Sequence, residues 1–414
     1  MLNGIFALVL ALVANLQAEP AAERIYGRVL TAGGDRLEGY LRWDRNETHW
    51  ADFLDGRKEI PWANIREAEE LDEEFRRRRE RERSVSLLGL RISWDEDDGE
   101  PRTASAAVRF GHVRSLEVVD DGRARLVLLS GEEVELRGGS TDVGRSFRGL
   151  TVEDAERGEV ELRWRDLDRV DFMAAPPGAP PPRAARLYGT LRTTGGVELT
   201  GYVAWDMDET LTSDVLDGEH DGRDLDIGFG SVAAIEREGR DASRVTLATG
   251  EELILTGTND VDSDNRGIEI SDPALGRAIV TWDEFESLVF HAPESGRDTR
   301  ADFDGGAPLV GTVESRNGER HTGRIRWDND EEHTWEVLDG RSNGVDYDIE
   351  LGLVRRIERA GSLAARVELL DGRSMLLEGS NDVNDENQGI FVRGESGRTV
   401  LVHWRDLERV TFGP

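Results

Sequence analysis

The chain has 414 residues and a formal charge of −33, with Lys58 its single lysine and no cysteine. So acidic a surface repels the phosphate backbone and anionic lipid, which proteins engage through basic patches, so nucleic acid and anionic membranes are excluded as main partners. The lack of cysteine excludes thiol nucleophiles, thiolate metal sites and disulfide staples.

The chain opens on an apolar run, Ile5 to Val13, followed by Ala14-Asn15-Leu16-Gln17-Ala18 and the polar pair Glu19-Pro20. A short apolar stretch ending in small residues is the pattern of a signal peptide. Residues 1–18 are read as one, although Met1 to Gly4 hold no basic residue. The run falls short of the about 20 apolar residues a spanning helix needs. The expectation is therefore an exported chain, periplasmic or extracellular, without a transmembrane segment.

Three homologous blocks follow. Trp43-Asp44, Trp205-Asp206 and Trp327-Asp328 each stand four residues after a glycine (Gly39, Gly201, Gly323) and eleven before a Leu-Asp-Gly motif read as a turn (Leu54, Leu216, Leu338). Asp142-Val143, Asp260-Val261 and Asp382-Val383 are each followed seven residues on by a glycine and twenty-two on by a tryptophan (Trp164, Trp282, Trp404). Self-similarity of this kind marks repeated structural units. The second and third repeats align at a register of 122 residues (327 − 205 = 122). In the first, Asp44 lies 98 residues before Asp142, where Asp206 lies 54 before Asp260; a net 44 residues (98 − 54 = 44) are inserted after Gly56.

The inserted residues 66–83 are mostly Glu and Arg, strong helix formers, with acids first and arginines last as the helix dipole favours. With only Ala68, Leu71 and Phe75 apolar, one solvated helix projecting from the first repeat is expected. The repeats occupy residues 24–175, 185–292 and 307–414, separated by a proline-rich spacer at 176–184 and a polar linker at 293–306. A polyproline spacer is stiff and extended, which predicts that the first repeat is held away from the second.

Within a repeat the apolar pattern has period two. Leu187 to Leu191 runs to Gly195-Gly196, then Val197 to Trp205 resumes, and the stretches ending at Ile235, Leu255 and Phe290 follow with glycine turns between them. Alternating stretches bounded by glycine read as hairpin strands. About eight to ten short strands per repeat imply an all-β fold, as three tandem sandwiches or paired small barrels. Each repeat also divides into two halves that begin with a strand, a glycine turn and a strand, and end with a short turn and a final strand, as in Phe229 to Ile235 and Trp282 to Phe290. A five-strand unit of this shape resembles the small SH3-like and Sm-like barrels, a likeness of fold that implies no function.

The recurring tryptophans are expected in the cores, since each buries about 150–250 Å². Trp50 and Trp335 lack a counterpart in the second repeat and are read as exposed ligand contacts. The loop Asp260-Val261-Asp262-Ser263-Asp264-Asn265 alternates carboxylates as a calcium loop does, and Asp382, Asn384 and Glu386 repeat the pattern. The glycines Gly267 and Gly389 fall two positions later than in an EF-hand, and the first repeat has Gly144 and Ser146 in place of the later ligands. The same residues would serve as turn caps. The seven histidines show no zinc spacing, and no nucleophile elbow or phosphate loop occurs. The sequence thus points to a non-catalytic binding or scaffolding protein of the bacterial envelope whose partner is an envelope protein or a polysaccharide. A calcium-binding structural module is the alternative, and a glycan hydrolase acting through paired carboxylates is the third reading.

Overall fold

The computed structural model describes residues 22–73, 76–77, 102–293 and 299–413. The leader read as a signal peptide and most of the Glu/Arg-rich stretch lie outside the described residues. No helix among those described is long and apolar enough to cross a membrane.

The period-two pattern becomes antiparallel strands throughout. The first repeat holds β1 (Tyr26–Thr31), β2 (Arg36–Trp43), β3 (Phe53–Glu59), β4 (Thr103–Arg109), β5 (Val113–Asp120), β6 (Arg123–Leu128), β7 (Glu133–Arg137), β8 (Leu150–Asp154), β9 (Gly158–Leu162) and β10 (Leu167–Phe172). They lie in the order β4-β3-β7-β6-β5-β10-β1-β2-β8-β9. The pairings of the second repeat run in the same order, from Arg223–Gly228 to Gly276–Val280. Those of the third run likewise from Val345–Glu350 to Thr399–Val402.

The two halves of a repeat exchange strands. The hairpin β3-β4 pairs with β7 of the second half, and β8-β9 pairs with β2 of the first. The groups β10-β1-β2-β8-β9 and β5-β6-β7-β3-β4 therefore each mix both halves, and they meet at β5–β10. The repeated glycine four residues before each tryptophan permits this close coiling. A Cβ on Gly39, Gly201 or Gly323 would stand 2.0, 2.4 or 2.2 Å from a carbonyl oxygen of the neighbouring strand. The Leu-Asp-Gly motif read as a turn lies instead in mid-strand, in β3 and its counterparts, where Gly56, Gly218 and Gly340 face a leucine of the adjacent strand.

Each core is organised on one tryptophan pair. Trp43, Trp205 and Trp327 are fully buried and meet Trp164, Trp282 and Trp404 edge-on, with ring centroids 6.5, 6.4 and 6.3 Å apart. Burying each ring stabilises the fold by about 4–6 kcal/mol at 25 cal/mol per Å². Their indole N–H groups donate to Asp142, Asp260 and Asp382 carbonyls at 3.1, 2.9 and 3.1 Å, tying the two sequence blocks of each repeat together.

The repeats pack against one another. Gly276–Val280 of the second pairs with Val345–Glu350 of the third, Arg277 opposite Asp348, so that twenty strands form one sheet. At the corresponding seam between the third and first repeats stands helix α1 (Trp62–Leu71). Its Ile65 and Ala68, with Ile60, pack on Phe391, and Ala104 of β4 and Leu401 close the cluster. Glu67 accepts from Arg326 at 2.9 Å and Thr399 at 2.6 Å. The described start of the expected solvated helix is thus a wedge between repeats, and the rest of residues 66–83 lies largely outside the described residues. The apolar residues responsible, Ile60 and Ile65, lie just ahead of the charged stretch that suggests a solvated helix.

The expected separation of the first two repeats is likewise overturned. Arg42 forks onto Asp214 at 2.8 and 2.9 Å, buried Arg186 reaches Asp52 at 3.1 Å, and the Tyr202 hydroxyl donates to Glu23 at 2.9 Å. The spacer is pinned along the first repeat, with the Arg183 N–H on Glu153 at 3.0 Å, instead of holding the two apart.

Candidate functional site

The Trp-Asp pair opens a turn in which the aspartate and the residue after it both adopt positive φ: 44° and 75° at Asp44-Arg45, 49° and 60° at Asp206-Met207, 44° and 73° at Asp328-Asn329. Aspartate and asparagine tolerate this left-handed region better than most side chains. The turn is closed by reciprocal hydrogen bonds between the tryptophan and a glutamate four residues on, Glu47, Glu209 or Glu331. The carboxylates of Asp142, Asp260 and Asp382 then join from the second block. One oxygen of each accepts the N–H of Asp55, Asp217 or Asp339, at 2.6, 2.8 and 3.0 Å.

Each repeat thereby holds a carboxylate triad: Asp44-Glu47-Asp142, Asp206-Glu209-Asp260 and Asp328-Glu331-Asp382. In the second, one oxygen from each member lies within 4.8 Å of the others. Oε2 of all three glutamates is buried without a hydrogen-bond partner. Burial first, and the neighbouring carboxylates second, push Glu209 up to about 8 and Glu47 and Glu331 well above the usual carboxyl range. Burial likewise raises Asp260 to about 6 and Asp142 and Asp382 well above their ordinary value. Such a triad can share protons or hold a cation.

The third triad opens into a cleft of about 880 Å³ between the first and third repeats, lined by Asp55, Arg57 and Arg102 on one side and Asp328, Asp330, Glu331 and Asp382 on the other. At its edge all three repeats meet on Arg277. This half-buried guanidinium donates to Asp55 at 2.6 and 3.0 Å and to Asp348 at 2.8 and 2.6 Å, and lies over the Phe53 ring at 5.1 Å. Glu269 is buried beside it and raised to about 7 by that burial. A second cleft, of about 810 Å³, lies between α1 and the third repeat and carries Arg324, Arg326 and Arg393.

Of the residues the sequence singled out, Asp260 and Asp382 enter triads. Their expected partners cap turns instead: Asp262 accepts the Asp264 N–H at 2.8 Å, and Asn384 accepts the Glu386 N–H at 2.7 Å, with Asp264 and Glu386 exposed. The exposure expected of Trp50 and Trp335 is corrected, the two being 0% and 2% exposed. Trp50 lies under Arg300 from the segment ahead of the third repeat, at 4.8 Å, and Trp335 enters the hydrophobic core of the first repeat. Trp335 thus fills a seam between the third and first repeats. Missed altogether was the glutamate of Trp-Asp-x-x-Glu, although its signal, the same spacing three times, stands in the sequence.

No protein-family model, curated protein or solved structure matches the chain.

Proposed function

We propose that the chain is an exported, non-catalytic binding or scaffolding protein of the bacterial envelope whose three repeats act as one body. The observation carrying this reading is the 880 Å³ cleft at the seam of the repeats, with Arg57 and Arg102 facing the carboxylates of the third repeat. Clefts between packed units are where ligands most often bind. Multivalency through separate domains on linkers gives way to a composite site, because the shared sheet and the Arg277 junction fix the repeats relative to one another. The partner is a polysaccharide or an envelope protein offering hydroxyl, amine and carboxylate groups to that mixed surface.

The test is sedimentation of the purified protein with isolated cell envelopes, with wild type and Arg57→Glu side by side. The expected result is retention of the wild type, loss of retention in the variant at an unchanged melting temperature, and no release of reducing ends or peptides. Release of soluble fragments would turn the reading towards a hydrolase. Equal retention of the variant would remove the cleft as the contact surface.

A further inference from the structure

We infer that the outer edge of strand Arg223–Gly228, in the second repeat, takes up an extended basic segment of a partner protein as an added strand. The inference stands apart from the cleft between the first and third repeats, since none of this strand's residues lines it.

The three repeats hold this strand in three settings. In each it pairs on one side with the strand that opens its hairpin. In the third repeat the other side of Val345–Glu350 receives Gly276–Val280 of the second, antiparallel, with Arg277 opposite Asp348 and Ile279 opposite Asp346. In the first, β4 lies beside α1, its Ala104 joining the cluster of Ile65, Ala68 and Phe391. In the second, Arg223–Gly228 pairs with Val215–His220 and, among the described residues, with no other strand. Asp224 and Asp226 are exposed, and Leu225 and Ile227 only half-buried, where their counterparts Tyr347 and Ile349 are buried.

The side chains follow the setting. Where a strand is received, Asp346 and Asp348 stand opposite it, and Arg277 donates to Asp348 at 2.8 and 2.6 Å. Where the apolar helix lies, the same two positions are Ser105 and Ala107. The uncovered strand has Asp224 and Asp226, the acids of the receiving edge. Charged residues also keep a bare edge from aggregating, but any charge serves that end. What is kept here is the residue type at both positions, with the isoleucine that follows, Ile227 for Ile349. Asp226 crowds Asp217 of the paired strand, whose carboxyl is pushed up by burial and then by Asp226, and among the described residues no cation pairs with either.

Charge decides the occupant. The bare edge that a second copy of this chain offers is β9, the first-repeat counterpart of Gly276–Val280, which pairs only with β8 among the described residues. In the register of the existing seam its Glu159 and Glu161 would stand opposite Asp226 and Asp224. Like charges directly opposite are destabilising, so a second copy does not fit. The strand that fits is basic, with an arginine opposite Asp226 and apolar residues after it, as Gly276-Arg277-Ala278-Ile279-Val280 is at the third repeat. Addition of a strand to a bare edge draws affinity from the backbone and specificity from alternate side chains.

The probe is a fluorescent peptide copying residues 274–281, titrated into the full chain and followed by anisotropy, with hydrogen exchange to locate it. Saturable binding of one peptide per chain is expected, with slowed exchange across residues 223–228. Asp226→Arg changes an exposed side chain and should leave the melting temperature unchanged. It should weaken binding about tenfold or more, the loss of one hydrogen bond to a charged group. Arg277→Glu in the peptide should do the same to wild type, and decides alone if Asp226→Arg does not fold. A peptide carrying Ala278→Pro and Ile279→Pro keeps its charge, loses the N–H groups of the ladder and should not bind. No binding of the unaltered peptide, equal binding of the proline peptide, undiminished binding to folded Asp226→Arg, or protection away from 223–228 overturns the inference. Because Arg57→Glu leaves this strand untouched, loss of envelope retention and loss of peptide binding are read independently.

Discussion

Glu209→Gln replaces a buried, unpartnered carboxyl oxygen by an amide of nearly the same shape. The sign of its effect follows from the raised affinity of Glu209 for its proton. Its ordinary value is 4.5 and its folded value about 8, so the folded chain holds a proton that the unfolded chain gives up. Stability from this group is fully present below pH 4.5 and is lost as pH rises through 8. At 1.36 kcal/mol per pH unit, the gap corresponds to about 5 kcal/mol. Solvent reaching a side chain that is not wholly buried reduces this to about 2–4 kcal/mol. The introduced amide has no proton to lose, and it can donate to Asp206 or Asp260. Urea unfolding of both proteins from pH 4 to 8.5, in chelator, measures the difference directly. The variant should be more stable by about 2–4 kcal/mol at pH 8, and the gain should fade to near zero at pH 4.5. A gain independent of pH, or a loss at pH 8, would refute the view that the triad is strained by its own charge.

Trp335→Ala should cost about 3–5 kcal/mol by removing a ring from the core of the first repeat, whereas an exposed contact residue would cost under about 0.5; thermal unfolding distinguishes the two. Arg277→Met leaves Asp55 and Asp348 facing each other without their cation, and a loss of about 3–5 kcal/mol is expected in denaturant titration. Gly276→Ala would place a Cβ 2.0 Å from the Asp348 carbonyl at a φ of 125°. Hydrogen exchange should then show lost protection across the seam of Arg277–Val280 with Val345–Asp348, while the hairpins within each repeat stay protected.

Much of the fold was legible in the residues. The Gly-Trp-Asp and Asp-Val-Gly blocks recur because each is a fixed joint: the glycine admits a neighbouring strand, the tryptophan fills a core, and the aspartate accepts a particular N–H. Period-two alternation located the strands, since one face of each is buried. The exchange of strands between halves was not legible, because β3 and β8 present the same alternation whichever half they pair with. The candidate site was half legible. Asp260 and Asp382 stood out through their acidic loops, but their partners come from a turn about 50 residues earlier, and sequence proximity favoured Asp262 and Asn384, which spend their oxygens on local turns.

The positions at which the repeats disagree carry information of a different kind. Trp50 and Trp335 have Thr212 and Leu211 in their region of the second repeat, and both rings proved to be buried in the core of the first repeat, Trp50 beneath Arg300 and Trp335 entering from the third repeat. The 44-residue insertion occurs in the first repeat alone and supplies the helix that wedges against the third, at the place where the second and third repeats pair strand to strand. Gln388 follows the same logic. A frame kept three times sets what the backbone needs, and a departure from it marks where one repeat meets something the others do not. At Trp335 and α1 that something is another repeat, and at Trp50 it is the segment ahead of the third repeat. At Gln388 the third repeat lacks the guanidinium that its counterparts place on Asp44 and Asp206, and there Lys58 of the first repeat comes in beside the triad, donating to the Asp330 carbonyl and to Glu336.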